Sequence, residues 1–273
     1  TRCSGVSWLG DVYKRQIDLV LNHSFGQSPF YLLYKDADGK PSADNPWYNQ
    51  ESNIKNTSLS WGYDFNHDSE YTRALVDSVA GFWMSEYKID GFRYDFTKGF
   101  SNTPYGENDW ANGPDNARIA NLKRMSAAVQ KRQPGAYVIF EHLAATSEER
   151  QLGDAGILLW CNKNEAYCET AMGWSGSKTD FSGLYAGTSM PAGSLVGYME
   201  SHDEERTGFK AWKWGNTGVI ASTTSTNTGM SPATGSNINL STRTKRLATN
   251  AAFFLTVPLS LIHISEPTRL LSI

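Results

Sequence analysis

The sequence predicts an α/β fold built on a mainly parallel sheet, either closed into a barrel or left open. Three observations carry this. Short runs rich in β-branched and aromatic residues, IDLVLNH, KIDGFRYDF, YVIFE, GILLW and SLVGYM, alternate with longer stretches of helical apolar spacing. Ionisable residues gather at the C-terminal ends of those runs, at His23, Asp95, Glu141 and the cluster after Met199. Turn-rich, aromatic loops follow the same ends. Parallel α/β folds place binding and catalysis there, on loops that vary while strands and helices hold the core.

Both ends of the chain are set aside before the elements are read. Asp11-Val-Tyr-Lys-Arg-Gln16 can be written in DNA whose reverse complement reads Leu-Ser-Leu-Ile-His-Ile, residues 259–264. Such an inverted repeat resembles the terminal sequence that library-preparation transposases attach to fragmented DNA. Residues 1–16 and 259–273 are therefore expected to be adapter-derived, leaving 17–258 for fold reasoning. Setting aside Arg2, Lys14, Arg15, Arg269, Asp11 and Glu266 leaves 21 basic and 26 acidic residues, a net charge of −5 in place of −3. This mild acidity argues against a nucleic-acid partner. No apolar run reaches the roughly 18 residues of a membrane span. Cys161 and Cys168, in WCNKNEAYC, suit neither a zinc knuckle nor a redox CxxC and read as free thiols, with a local disulfide as the alternative in an exported protein.

In chain order, Ile17–His23 reads as a buried strand with Asp18, Val20 and Asn22 on one face and His23 at its end. Residues 24–67 lose periodicity and are rich in Asp, Asn, Gly, Pro, Trp and Tyr, which predicts a functional insertion rather than a linker. Singly, Trp47, Tyr48, Trp61 and Tyr63 are small-core residues. Jointly they offer the flat apolar faces that a sugar-binding cleft needs. Asp68 is expected to cap a helix reaching Tyr87, with Tyr71, Leu75, Val79, Phe82 and Trp83 as its apolar stripe. In the strand 88–96, alternation puts Ile89, Gly91, Arg93 and Asp95 on one face and Phe92, Tyr94 and Phe96 on the other.

Pro114 is expected to open the next helix, with Ile119, Leu122, Met125 and Val129 on one stripe, and Pro134–Gly135 to close it. A strand at Tyr137–Glu141, a helix near Ser147–Leu152 and a strand at Gly156–Trp160 follow. Residues 161–180 read as polar and aromatic without periodicity, and 181–186 as helical. Ser194–Met199 is a strand, 215–239 a Ser/Thr/Asn/Gly-rich surface loop, and Ser241 the cap of a helix to Thr256 with Leu247, Ala251, Phe254 and Leu255 apolar.

Asp95, Glu141 and Asp203 fall at or just after three strand ends, with Arg93, His23 and His202 beside them. Two carboxylates about 5–5.5 Å apart suit retaining glycoside hydrolysis, in which one attacks the anomeric carbon and the other protonates the leaving oxygen and then activates water. Arg93 would keep Asp95 ionised as the nucleophile, whereas Glu141, after Val138, Ile139 and Phe140, would have its proton affinity raised by apolar surroundings. Arg93 and Asp95 alone are equally read as a structural ion pair. A divalent-metal hydrolase using Asp, Glu and His ligands is a competing reading, although no helical HxxxH or Cys/His pair accompanies the carboxylates.

The segments IDLVLNH, DGFRYDF, YVIFEH and MESHDEER, in this order, resemble the four signature regions of the α-amylase family, glycoside hydrolase family 13. WCNKNEAYCETAMGW is similar to amylase-like proteins of Bacteroidetes. The resemblance implies a partial (β/α)8 TIM barrel, about strands three to seven, with the insertion 24–67 after strand three. It implies Asp95 as nucleophile, Glu141 as general acid/base, and Asp203 as the third carboxylate, with His23, Arg93, His202 and Lys98 contacting substrate. No cofactor is required for that chemistry. Asn22 matches a frequent ligand of a structural calcium. The implied partner is an α-linked glucan (starch, glycogen or maltooligosaccharides), and the implied setting is extracellular or periplasmic. Glucanosyl transfer and a non-catalytic glycan-binding barrel are the alternatives, and a chain cut at both barrel edges is expected to be inactive alone. Ser201 stands where the family commonly has asparagine, and Gly99 where many members have histidine.

Overall fold

The computed structural model describes residues 15–174, 178–184, 189–216, 240–257 and 260–261. They divide into two compact units, with the boundary between Leu159 and Trp160.

The sheet of the first unit is parallel, in the order β1 (Gln16–Leu19), β4 (Gly91–Tyr94), β5 (Tyr137–Phe140) and the start of β6 (Leu158–Asn162). A two-residue antiparallel ribbon, β2 (His23–Ser24) with β3 (Tyr63–Asp64), frames the insertion, which also carries the short helix α1 (Pro29–Leu32). Two long helices, α2 (Glu70–Tyr87) and α3 (Asn116–Arg132), precede β4 and β5, and α4 (Thr146–Gly153) precedes β6. Phe92, Tyr94, Val138, Ile139, Phe140 and Leu159 are all buried in the sheet. Gly91 is required by close strand approach, since a Cβ there would stand 2.3 Å from the Tyr137 carbonyl oxygen.

The first strand is shorter than expected. It ends at Leu19, Val20 is exposed, and His23 belongs to the separate ribbon. Phe96 leaves the strand alternation because its backbone is left-handed (φ 43°), which brings its ring edge-on to Trp61 at 5.0 Å. The cap of α2 is Ser69, whose hydroxyl accepts from the Tyr71 N–H, and not Asp68. Its buried face runs Thr72, Val76, Ala80, Gly81 and Met84, one position away from the expected stripe, while Tyr71 and Phe82 are exposed. Phe82, Trp83 and Tyr87 instead pack against one another outside the core, and small residues face inward. Helix α3 begins after Asp115, which caps the N–H groups of Ala117 and Arg118, and buries the expected Ile119, Leu122, Met125 and Val129.

The insertion has a core of its own. Tyr31, Tyr48 and Phe65 are buried together, with Phe30, Trp47, Tyr63 and Leu75 packed against them. Of the four aromatic residues proposed for a cleft, three therefore serve this small core. Trp61 remains exposed.

In the second unit, α5 (Asn164–Met172) occupies a stretch that the sequence left without periodicity. Gly173 ends it in the left-handed conformation, and Tyr167, Cys168, Ala171 and Met172 are buried. Of residues 181–186, Ser182–Leu184 form a single 3-10 turn, and 185–186 lie outside the described residues. Strand β7 (Leu195–Tyr198) is followed by α6 (Thr207–Trp214), which the sequence reading did not separate from its surroundings. The last helix, α7, spans Leu240–Thr256, so Ser241 lies within it and not at its cap. Phe254 is buried but Leu255 is exposed. Cys161 and Cys168 are free thiols. Residues 217–239 of the expected surface loop lie outside the described residues.

Two stretches set aside in the sequence take part in pairing. Gln16 pairs with Gly91, and Ser260–Leu261 form β8, parallel to β7. Both continue sheets along strands whose backbone groups would otherwise be open, and pairing of that kind depends on backbone more than on side-chain identity.

Candidate active site

The site is built on β4 and its two neighbours. Beyond the strands, the Asp95 N–H donates to the Leu19 carbonyl (2.9 Å) and the Glu141 N–H to the Tyr94 carbonyl (3.0 Å), so the ladder extends one residue past each end and fixes both carboxylates. Alternation brings Arg93 onto the same face. Its Nη1 donates to Asp18 Oδ1 (2.7 Å) and Asp95 Oδ1 (2.6 Å), and its Nη2 stands 2.6 Å from Glu141 Oε2. One guanidinium thus joins carboxylates from three adjacent chain segments. Burial alone would lower the pKa of Arg93, but the charges of Glu141, Asp18 and Asp95 outweigh it and raise it.

Glu141 is buried, and its Oε2 also accepts the Phe96 N–H (3.1 Å). Its carboxyl therefore meets donors rather than the apolar surroundings expected from Val138, Ile139 and Phe140. Those three side chains are spent on the core.

His23 is half-buried, and burial lowers its pKa against the opposing charge of Asp95. Asn22 Nδ2 lies 3.2 Å from His23 Nδ1, which makes Nδ1 the acceptor and leaves the proton on Nε2. Phe25 and Trp61 flank the ring, at 5.3 and 5.8 Å between centroids. Lys98 is buried, and its Nζ donates to Asn112 Oδ1 (2.8 Å). Burial, followed by the charge of Arg118, lowers its pKa.

His202 and Asp203 belong to the second unit, on the turn after β7. His202 Nε2 lies 3.3 Å from Asp203 Oδ1, and the Asp203 side chain is 63% exposed. The turn is organised by Ser201, which is fully buried and accepts the Asp203 N–H (3.2 Å), and by Glu204, which accepts the Ser201 N–H (3.1 Å) and the Tyr198 hydroxyl (3.1 Å). The serine hydroxyl both accepts the Asp203 N–H and donates to Glu204 Oε2, a double duty that its one oxygen can perform.

For a cation, among the described residues no three His, Cys, Asp or Glu side chains form a metal-holding group. A hard cation needs only oxygen donors, however. Asn22 Oδ1 and Asn53 Oδ1 are buried without a hydrogen-bond partner, and burial pushes the Asp64 carboxyl up to about 7 despite donors from Asn49 and Asn53. The three segments are tied together. Asn53 N–H donates to Asp64 Oδ2 (3.3 Å), Phe65 N–H to the Asn22 carbonyl (3.0 Å), and Asn53 Nδ2 to the Ser101 carbonyl (2.5 Å). These oxygens are of the kind a calcium-type ion takes, and Asp64 is the buried carboxylate tied to the same segments. Gly99 closes over this place: a Cβ there would stand 1.8 Å from Asn22 Oδ1, which explains why a histidine does not occupy it.

Sequence reasoning also missed a buried ionic cluster behind the site. Arg118 and Glu148 are fully buried and paired twice, Nε to Oε1 (2.7 Å) and Nη2 to Oε2 (2.8 Å). The one signal available was His142 and Glu148 placed six residues apart after a strand, which by itself points nowhere.

No family model matches the chain. It is 27% identical over 147 residues to the 1,4-alpha-glucan branching enzyme of Myxococcus xanthus, covering 51% of this chain and 18% of that protein. It is 33% identical over 93 residues to the branching enzyme of Rubrobacter xylanophilus, covering 31% of this chain and 13% of that protein. The chain thus spans less than a fifth of the length of these curated relatives. Among solved structures, it is similar to type I pullulanase from Bacillus subtilis complexed with maltose, with a TM-score of 0.56 at 19% identity over 91% of this chain and 33% of that one. It is also similar to the catalytic module of the pneumococcal glycogen-degrading virulence factor SpuA, with a TM-score of 0.55 at 16% identity over 91% of this chain and 33% of that one. The structural likeness gives the fold as part of a (β/α)8 barrel. With the branching-enzyme relatives, it supports the resemblance to the α-amylase family, glycoside hydrolase family 13.

Proposed function

We propose that the chain is the catalytic-barrel portion of a retaining α-glycosidase of the α-amylase family, acting on α-linked glucans. The observation that carries this reading is the single guanidinium of Arg93 joined to both Asp95 and Glu141. Two carboxylates sharing one planar cation lie on neighbouring strand ends, which supports a retaining reading.

In the first step Asp95 attacks the anomeric carbon while Glu141 passes a proton to the departing glycosidic oxygen, so the C–O bond breaks as the Asp95 ester forms. For this, Glu141 must carry a proton, and a sugar oxygen entering beside Arg93 would release Glu141 from the guanidinium. In the second step Glu141 takes the proton from water, whose oxygen displaces Asp95. Asp203, His202, His23 and Lys98 join this reading from their motifs as sugar-contacting groups. His23 would offer its Nε2–H, and Lys98 would first have to leave Asn112. Asn22, Asn53 and Asp64 would hold a structural calcium that braces the insertion and takes no part in bond breaking.

Transfer to a second sugar in place of water is the alternative, favoured by the branching-enzyme names of the sequence relatives. The test is incubation of the full-length protein with a maltooligosaccharide. Shorter products alone indicate hydrolysis, and shorter and longer products together indicate transfer. Asp95→Asn and Glu141→Gln should each abolish turnover, and full activity in either variant refutes the assignment.

A further inference from the structure

Glu141 is held at more than its carboxylate. Its backbone carbonyl accepts from the N–H of Thr97 (2.9 Å) and lies 3.0 Å from the Thr97 hydroxyl, while Phe96 N–H reaches its carboxylate (3.1 Å). The turn 96–98 therefore grips Glu141 from one side, and it does so through a strained, left-handed Phe96 (φ 43°). Such a turn needs support.

That support comes from a chain of buried contacts. The Thr97 hydroxyl lies 3.1 Å from His142 Nδ1, and His142 Nε2 lies 3.0 Å from Glu148 Oε1. Glu148 takes both branches of the Arg118 guanidinium and the N–H of Asp115 (2.9 Å). Arg118 Nη1 then returns to the turn by donating to the Lys98 carbonyl (2.8 Å). The loop of contacts closes on itself, from Thr97 through His142, Glu148 and Arg118 back to Lys98. All four side chains are buried. Since Glu148 is a carboxylate that only accepts, His142 must donate from Nε2, which leaves Nδ1 as an acceptor, so the single Thr97 hydroxyl proton is shared between the Glu141 carbonyl and His142 Nδ1.

We propose that Thr97 and His142 are positioning residues for Glu141, fixing the place from which it delivers its proton. The inference rests on the reading of Glu141 as acid/base. A misplacement of about 1 Å in a reacting group can cost about 10²-fold in rate, so the loss should appear in kcat and not in KM.

The test uses the full-length protein and Thr97→Val, which keeps the shape and removes the hydroxyl, with Thr97→Ser as the variant that restores it. Thr97→Val should lower kcat on a maltooligosaccharide by about 10- to 100-fold at nearly constant KM. It should displace the alkaline limb of the pH profile, and lose much less on an aryl maltoside whose good leaving group needs little protonation. Thr97→Ser should recover most of the rate. A merely structural role would lower the melting temperature while leaving kcat per folded molecule, the pH profile and the leaving-group dependence unchanged, and that result overturns the inference. If Glu141→Gln itself keeps wild-type turnover, the reading of the site fails first and the inference falls with it. If Glu141→Gln is inactive and Thr97→Val is not impaired, only the inference fails.

Discussion

Replacing Arg118 by methionine removes the cation from the buried pair with Glu148 while keeping an unbranched chain in place. Two independent routes give the magnitude. The Arg118 and His142 contacts hold Glu148 at about 2 against the opposing effect of burial, where an ordinary glutamate titrates at 4.5. That difference is worth about 3 kcal/mol of stability at neutral pH. Breaking a buried ion pair by removing one partner costs about 3–5 kcal/mol, because the remaining charge is left uncompensated. The sign with pH follows from the depressed folded value: the contribution is fully present above about pH 4.5 and is lost as pH falls toward 2. Urea unfolding followed by tryptophan fluorescence should therefore show Arg118→Met less stable than the parent by about 3–5 kcal/mol at pH 7. The gap should narrow below pH 4.5 to the part owed to the lost contacts with the Lys98, Ala111 and Gly113 carbonyls. A gap under about 1 kcal/mol at pH 7, the worth of an exposed pair, or one that does not change with pH, refutes the reasoning.

Gly99→Ala would place a Cβ 1.8 Å from Asn22 Oδ1 and should cost about 1–3 kcal/mol by overpacking; thermal melts should show the loss partly relieved in the double variant with Asn22→Ala, and strict additivity would exclude the clash. Calcium should raise the melting temperature more at pH 8 than at pH 6. Asp64, titrating at about 7 when folded, keeps its proton at the lower pH; the metal-free chain loses stability as pH rises from 3.8 to about 7 and stays at that cost above it, and a bound cation reverses the cost. Asp64→Asn should erase the pH dependence. Trp61→Ala, which removes an exposed ring beside His23 and Phe96, should weaken maltooligosaccharide binding by about 1 kcal/mol, roughly five-fold in Kd, as read by calorimetry.

The strands were legible because burial on both faces leaves a continuous apolar run, as in Tyr137–Phe140, and because turn residues bound each one. Helix α3 was legible for a similar reason, its stripe being unbroken. Helix α2 was misread by one position, since its aromatic residues stack outside while alanine and glycine face inward, and periodicity assigns the larger side chain to the core by default. Helix α5 was missed because its polar and aromatic composition carries little amphipathic contrast, and α6 because eight residues are too few turns for a period to stand out. In the candidate site, a two-residue spacing sufficed to put Arg93 and Asp95 on one face. That Arg93 also reaches Glu141 and Asp18 depends on the register of β4 against both neighbours, which a single sequence does not encode locally. In the closed ring of contacts, Thr97 and His142, Glu148 and Arg118, and Arg118 and Lys98 lie 45, 30 and 20 positions apart, and the one local spacing, six residues from His142 to Glu148, points nowhere by itself.

The crowd around Arg93 has one more implication. Three carboxylates, of Asp18, Asp95 and Glu141, make ion pairs with a single guanidinium, so this corner of the first unit gathers acidic groups around one shared cation. Whatever arrives bearing positive charge lowers the local energy, whether a proton, a metal cation or a sugar ring passing through an oxocarbenium-like state. An ammonium at position 93 would deepen the deficit in reach rather than in charge, because a lysine cannot extend two nitrogens to separate partners at once. Arg93 is thus the spacer that keeps acidic groups apart, and under the proposed mechanism the negative charge gathered around it would favour the positive charge that glycosidic bond cleavage creates.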